Sequence, residues 1–191
     1  KRPQNTRRAE TQVAPTQRNV AGVAAVNPVK KLEAYCLSIL VRQPDFLFRL
    51  DRALQETGLQ PLHVDDFGYT ENQSLFQIIR EAIEQDALDA PDYVQEAVSD
   101  ELATLMERLL AETDEIGSVI ERVMEELLRS IIKLRRLGLS DGLNQLRFFQ
   151  QDAQERGETL GNDYQALVMQ HAQALRALDE AQRRMSLRRL E

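Results

Sequence analysis

The sequence is short of cysteine, histidine, glycine and tryptophan. Its 191 residues contain one cysteine, two histidines, eight glycines and no tryptophan. A single cysteine excludes an internal disulfide and a zinc site built from cysteines. Cys36 lies between Tyr35 and Leu37 in an apolar stretch. We therefore expect a buried thiol in a protein from a reducing compartment.

The patterns that usually carry catalysis or cofactor binding are also missing. The glycines never approach the spacing of a phosphate-binding loop. The residue three positions before His171 is Val168, so the Glu-x-x-His pair of a di-iron bundle is missing. We interpret His171 as a core histidine bonded to a neighbour. No Ser/His/Asp or Cys/His arrangement can be assembled, and we expect no catalytic residue, cofactor or metal in this segment.

Adjacent carboxylates occur at several positions, among them Asp65-Asp66 and Glu125-Glu126. Such pairs can hold a magnesium ion. The first pair lies in a stretch read as a loop and the second in a helical pattern. We interpret them as a turn cap and as an exposed helix face.

Positive charge and long apolar runs are scarce. The chain has 24 Lys and Arg against 31 Asp and Glu, a formal net charge of -7. Because gripping nucleic acid requires clustered cations, a protein partner is the better expectation for the body of the chain. No run approaches the roughly 20 apolar residues of a membrane span, and no hydrophobic signal region opens the sequence. We expect a cytoplasmic protein and, since the first residue is Lys1 rather than Met, the trailing part of a longer polypeptide.

Residues 1–27 have no periodic apolar face. They contain scattered arginines, prolines and polar residues, and such a segment buries too little surface to offset the entropy of ordering it. We predict a disordered basic linker at 1–27. Its arginines allow weak contact with a phosphate backbone.

Residues 28–137 carry the pattern of a helical bundle. Helix starts are predicted at Asn27-Pro28, after Pro44, and at Thr70, where Gln73 completes a capping box. All six prolines precede position 92, which leaves the second half free to be helical. The predicted core includes Leu32, Tyr35, Cys36, Ile39, Leu40, Phe46, Leu47, Leu50, Leu54, Phe67, Leu75, Phe76, Ile79, Ile83, Val94, Leu102, Leu105, Met106 and Leu109.

A helical apolar repeat dominates residues 113–190. It predicts one very long helix, a tight turn at 157–162 and a returning helix, which bury their apolar faces against each other as an antiparallel hairpin. The predicted apolar face of the outgoing helix is Ile116, Val119, Ile120, Val123, Leu127, Ile131, Leu134, Leu143, Leu146, Phe149 and Ala153. That of the return is Tyr164, Val168, His171, Leu175, Leu178 and Met185.

Gly138 and Gly142 interrupt this long helix. Each glycine costs about 1 kcal/mol relative to alanine in a helix interior. Two interpretations follow: a hinge at 138–142, or an unbroken helix whose glycines permit close packing. The predicted organisation is a linker at 1–27, a helical bundle at 28–137 and a C-terminal helical hairpin at 138–191.

Several runs resemble the C-terminal domain of bacterial DnaG-type primases. LEAYCLSILVRQPD at 32–45 resembles its opening helix and turn. DDF at 65–67 and LFQII at 75–79 resemble its next element. LRRL at 134–137, LNQL at 143–146 and AQERG at 153–157 resemble its long helix and terminal hairpin. The resemblance covers about residues 30 to 187.

This resemblance implies an all-α, non-catalytic domain that docks on the replicative hexameric helicase. The zinc-binding and polymerase domains, with their zinc and magnesium, would lie upstream of Lys1. Two other interpretations remain: a self-associating structural bundle, and the similarly folded N-terminal domain of a replicative helicase. A nucleic-acid binder acting through its two basic ends fits the acidic body least well.

Under the primase interpretation, the hairpin supplies the contact surface. Phe148 is expected to point away from the helix face that carries Leu146, Phe149 and Ala153, and to be partly exposed. A basic tip is expected at the end of the return helix. The expected partner-binding residues are Arg147, Phe148, Arg156, Arg176, Arg183, Arg184, Leu187 and Arg188.

Overall fold

The chain is helical from Pro28 onward. The computed structural model describes residues 27–111, 119–157 and 162–188. In these ranges there are seven α-helices, one 3-10 turn and no strand, which confirms the predicted all-α class. The helices are α1 (Pro28–Arg42), α2 (Phe46–Glu56), α3 (Thr70–Glu84), α4 (Ala90–Ala97), α5 (Asp100–Ala111), α6 (Ile120–Glu155) and α7 (Asn162–Arg188), with the 3-10 turn at Val64–Asp66. The predicted linker, apart from Asn27, lies outside the described residues.

Helix α1 occupies the centre of the bundle and contacts α3, α4, α5 and α6. It begins as predicted: the Asn27 Oδ1 accepts a hydrogen bond from the Val29 N–H at 3.0 Å, and Pro28 occupies the first turn. Because neighbours cover it on several sides, five consecutive residues from Leu37 to Val41 are buried. Most of the predicted core is buried. The half-buried members are Leu32, Tyr35, Ile83, Leu102 and Met106.

A fully buried carboxylate ties α1 to the start of α3. Glu33 has no exposed surface. Its two oxygens accept hydrogen bonds from the Gly68 N–H at 2.7 Å and from the Asn72 Nδ2 at 2.5 Å. Each hydrogen bond contributes about 0.5–1.5 kcal/mol, which offsets part of the cost of burying this polar side chain. Three residues along α1, burial and then Glu33 raise the pKa of the Cys36 thiol above its ordinary value.

The loop between α2 and α3 is fastened to α6 by one arginine. The Arg135 Nε and Nη2 atoms each donate to a carboxylate oxygen of Asp66 at 2.7 Å. The same guanidinium donates to the carbonyls of Gln60 at 2.8 Å and Pro61 at 2.7 Å. Asp66 also accepts from the His63 N–H at 2.8 Å, which confirms that Asp65-Asp66 forms a turn cap.

The predicted capping box at Thr70 is wrong. Thr70 is the first residue of α3, and its preceding residue, Tyr69, makes no side-chain cap. Gln73 instead donates from Nε2 to the Phe67 carbonyl at 2.7 Å. This carbonyl is within reach because the loop folds back to bury Phe67 against Phe76, with ring centroids 5.0 Å apart.

Helix α6 begins later than predicted. Residues 113–118, including Ile116, lie outside the described residues. Val119 is 53% exposed and Ile120 is 44% exposed, so the prediction that both are buried is wrong. They precede the part of α6 that contacts the bundle, where Val123 is the first buried residue.

Helix α6 is unbroken at its glycines, and the predicted boundary at residue 138 falls inside it. At Gly142 a Cβ would lie 2.7 Å from the His171 Nε2, so this glycine permits close packing of α7. The His171 Nδ1 is 2.9 Å from the Leu167 carbonyl, which confirms a histidine bonded to a neighbour. At Gly138 a Cβ would meet no atom within 4 Å, so packing does not require glycine there.

Helices α6 and α7 run antiparallel. The Tyr164 hydroxyl donates to the Leu146 carbonyl at 2.8 Å, and Arg136 pairs with Asp179 further back. The predicted contacts on α6 and α7 are buried or half-buried, except at Val119, Ile120 and Phe149. Leu178 and the unpredicted Ala181 join the same core as α1 and α2. No described helix has both the length and the apolarity needed to cross a membrane.

The two glycines give opposite results when replaced by alanine. Gly138→Ala should raise the free energy of unfolding by about 1 kcal/mol through helix propensity alone. Gly142→Ala should lower it by about 1 kcal/mol, because the methyl displaces His171 from its rotamer and its hydrogen bond. Urea denaturation measures both, and adding His171→Ala should relieve the Gly142→Ala defect. Equal effects at the two positions would contradict this account.

Removing the Glu33 carboxylate should be costly. Glu33→Ala leaves two donors unsatisfied in the core, and we expect the free energy of unfolding to fall by about 3 kcal/mol. Glu96→Ala, on the exposed surface of α4, is the control and should change it by less than about 0.5 kcal/mol. Chemical denaturation compares the two, and a similar small change in both would show that Glu33 is not a structural link.

Candidate protein-binding surface

The outer side of α6 exposes an aromatic residue far from the bundle. Phe148 is 70% exposed, which confirms that it points away from α7. The preceding residue, Arg147, is exposed and forms no ion pair with a described residue. An exposed aromatic ring beside an arginine has the composition of an anchor in a protein interface.

Phe149 is also exposed, at 59%, so the prediction that it faces α7 is wrong. It lies 18 residues beyond Ile131, which is about five helical turns, so both residues are on the same side of α6. At Ile131 that side is buried in the bundle. No described element covers it at Phe149, because the bundle ends before this position and α7 packs on a neighbouring side.

The six expected arginines differ in their surroundings. Arg147 and Arg176 are exposed and have no ion-pair partner among the described residues. Arg156 pairs with Asp152 at 2.8 Å. Arg183 is exposed beside Leu187, which is 65% exposed. The Arg188 side chain lies outside the described part of the structure.

Arg184 is a structural residue rather than part of a free basic tip. Its Nη1 donates to the Thr57 carbonyl at the C-terminus of α2, at 3.0 Å, and its Nη2 is 3.7 Å from Glu180. Gly58 has a φ of +85°, and a Cβ there would lie 3.0 Å from the same guanidinium. Arg184 therefore holds the end of α7 against the bundle. Its side chain is still 54% exposed, and its role in partner binding stays a prediction.

A basic groove between α6 and α7 was missed by sequence reasoning. It has a volume of about 570 Å³ and is lined by Arg129, Ile132, Lys133, Arg136, Leu137, Gln182, Met185 and Ser186. Two of its cations are already paired, Arg129 with Glu125 and Arg136 with Asp179. The available signal was the spacing of Arg129, Lys133 and Arg136, which places three cations on one helix side.

The groups with displaced pKa values lie in the bundle. Burial and then Glu126, 3.3 Å away, raise the pKa of Tyr35 to about 12. Burial also raises the pKa of Asp51, against the effect of the hydrogen bond from the Leu62 N–H. Within the described ranges, no three His, Cys, Asp or Glu side chains gather as metal ligands would. The exposed part of α6 and α7 is characterised instead by its apolar side chains and its cations.

The different roles of Arg183 and Arg184 can be measured. Arg184→Ala should lower the free energy of unfolding by about 1 kcal/mol, because the Thr57 carbonyl loses its charged donor. Arg183→Ala should change it by less than about 0.5 kcal/mol. Thermal and urea denaturation of the two variants test this, and equal stability of both would remove the structural role given to Arg184.

Comparison with protein-family models, curated proteins and solved structures found no match for this chain. The surface is therefore interpreted from its own residues.

Proposed function

We propose that this chain is the non-catalytic, helicase-binding C-terminal domain of a DnaG-type DNA primase. The observation that carries the proposal is the 70% exposed Phe148 on the part of α6 beyond the bundle. It lies beside Arg147, which has no ion-pair partner among the described residues. The all-α fold and the order of helices along the chain are consistent with the resemblance in the sequence.

The position of Phe148 suits contact with a large partner. It lies on α6 opposite the side that packs on α7, so a second protein reaches it without disturbing the core. A phenylalanine side chain contributes to binding mainly through the apolar surface that it buries. Arg147, about 100° around the helix, is placed to contact the rim of the same interface.

In this proposal the domain acts as an adaptor in the cytoplasm. The polymerase domain, with its zinc and magnesium, belongs to the upstream part of the parent chain. Docking on the hexameric helicase raises the local concentration of that polymerase at the replication fork, without any chemistry in the domain itself.

A self-associating helical bundle is the second candidate. It is favoured by Met169 and Leu187, which are 62% and 65% exposed. They are 18 residues apart on α7 and therefore lie on the same side of that helix. Sedimentation equilibrium distinguishes the candidates, because a tight oligomer that ignores the helicase supports self-association.

The helicase contact can be tested with two matched phenylalanines. Phe148→Ala should weaken binding of this 191-residue chain to the replicative helicase of the same organism by at least about tenfold, as expected for an interface anchor. Phe48→Ala removes a ring on α2 that is 58% exposed and should leave the affinity within about twofold. Isothermal titration calorimetry gives both affinities. No binding by the unaltered chain, or equal losses in both variants, would defeat the proposal.

A further inference from the structure

A separate concave surface lies where the loop between α2 and α3 meets α6 and α7. It is a cleft of about 540 Å³, a size typical of binding sites. Its walls include Leu134, Leu139 and Leu178, with Gly58, Gly138 and Asp65 nearer the opening. Phe148 is not among the residues that line it.

Gly138 keeps this cleft open. A helix-interior glycine is unfavourable, yet no neighbour excludes a side chain at this position, since an added Cβ would meet no atom within 4 Å. At Gly142, by contrast, His171 leaves no room for a Cβ. Packing therefore accounts for the second glycine but not for the first. A larger residue at 138 would project into the cleft and occupy it.

Farther out from the cleft, α6 and α7 each carry one exposed apolar residue on the side that lines it. Phe149 lies 11 residues beyond Gly138 on α6, and Leu167 lies 11 residues before Leu178 on α7. Eleven residues are about three helical turns, or about 16 Å, so each pair shares one side of its helix. Phe149 is 59% exposed and Leu167 is 44% exposed. Because the helices are antiparallel, Phe149 and Leu167 both lie toward the same end of the helix pair.

The charge in the cleft favours a cationic ligand group. Arg135 directs its donors to Asp66 and to the carbonyls of Gln60 and Pro61, so the charge of Asp66 is compensated. The Asp65 side chain is 88% exposed, with one oxygen 3.1 Å from the His63 Nδ1. The described lining therefore offers one accessible carboxylate, that of Asp65. Its one cation, Arg135, is already paired.

We propose that this surface binds an amphipathic α-helix of a partner protein. The occupant has about three turns, with apolar side chains at i, i+4 and i+7 or i+11, and a Lys or Arg that reaches Asp65. This is binding of a helix in a groove, in which apolar anchors enter pockets and a charge fixes the register. The site is independent of the Phe148 contact and does not require the helicase assignment.

The probe is a fluorescein-labelled 14-residue peptide of leucine and lysine with helical amphipathic spacing. Fluorescence anisotropy at physiological ionic strength measures its Kd for the full chain. Gly138→Leu fills the cleft. Its control, Ser140→Leu, adds the same side chain at an exposed position two residues later, about 200° around the helix. Phe149→Ala removes the outer anchor, and its control, Phe48→Ala, removes a ring of nearly equal exposure on α2.

We expect Gly138→Leu and Phe149→Ala each to raise the Kd by at least about tenfold, as loss of an anchor does. Ser140→Leu and Phe48→Ala should leave it within about twofold. Asp65→Asn should raise it by about threefold, and this difference should shrink in high salt because a charge pair is screened.

Unfolding would not explain a loss of binding by Gly138→Leu, because its melting temperature should equal or exceed that of the unaltered chain. Absence of peptide binding would overturn the proposal. So would equal binding by all variants, or an anisotropy change that sedimentation traces to self-association of the chain. Lack of helicase binding would defeat the proposed function and leave this readout unaffected.

Discussion

The structure depends on burial of one side of α6 along its first half. Val123, Leu127 and Ile131 fill the core beside α1 and α2. Because a 36-residue helix is stiff and about 54 Å long, fixing its first half also fixes the direction of its second half. Among the described elements, only α7 packs against it beyond the bundle, and none of the residues from Ser140 to Asp152 is fully buried. The exposed aromatic residues follow from this geometry.

Polar interactions fix the positions of the loop and the helix ends that apolar packing does not fix. Glu33 links α1 to the start of α3, Arg135 fastens the loop to α6, and Arg184 joins α7 to the end of α2. Each one contacts a backbone carbonyl or N–H group that has no partner of its own in the helices, so each also satisfies a buried or half-buried polar group. Arg135 fastens this loop to α6, and Arg135 and the loop both line the cleft beside Gly138.

The packing separates the arginines and phenylalanines that stabilise the fold from those that are exposed to a partner. Arg184 stabilises the fold, whereas Arg147, Arg176 and Arg183 keep exposed cations that a partner can reach. Phe148 and Phe149 are neighbours in sequence but lie on different sides of α6. The molecule therefore presents two exposed aromatic residues on different sides of α6. This arrangement is consistent with the proposed protein-binding role.

The sequence by itself determined the helices and most of the core, because helical periodicity, proline positions and the Asn27 cap act within a few residues. It also indicated the exposed Phe148, since a single helix fixes that direction. Only the tertiary structure decided which glycine is needed for packing, which arginine is structural, and that Phe149 is exposed. Those outcomes depend on residues distant in sequence, such as His171 against Gly142, Thr57 against Arg184, and the point where the bundle stops covering α6. Helical periodicity in the sequence shows which side of a helix is apolar. How far along the helix that side is covered depends on how the whole chain packs.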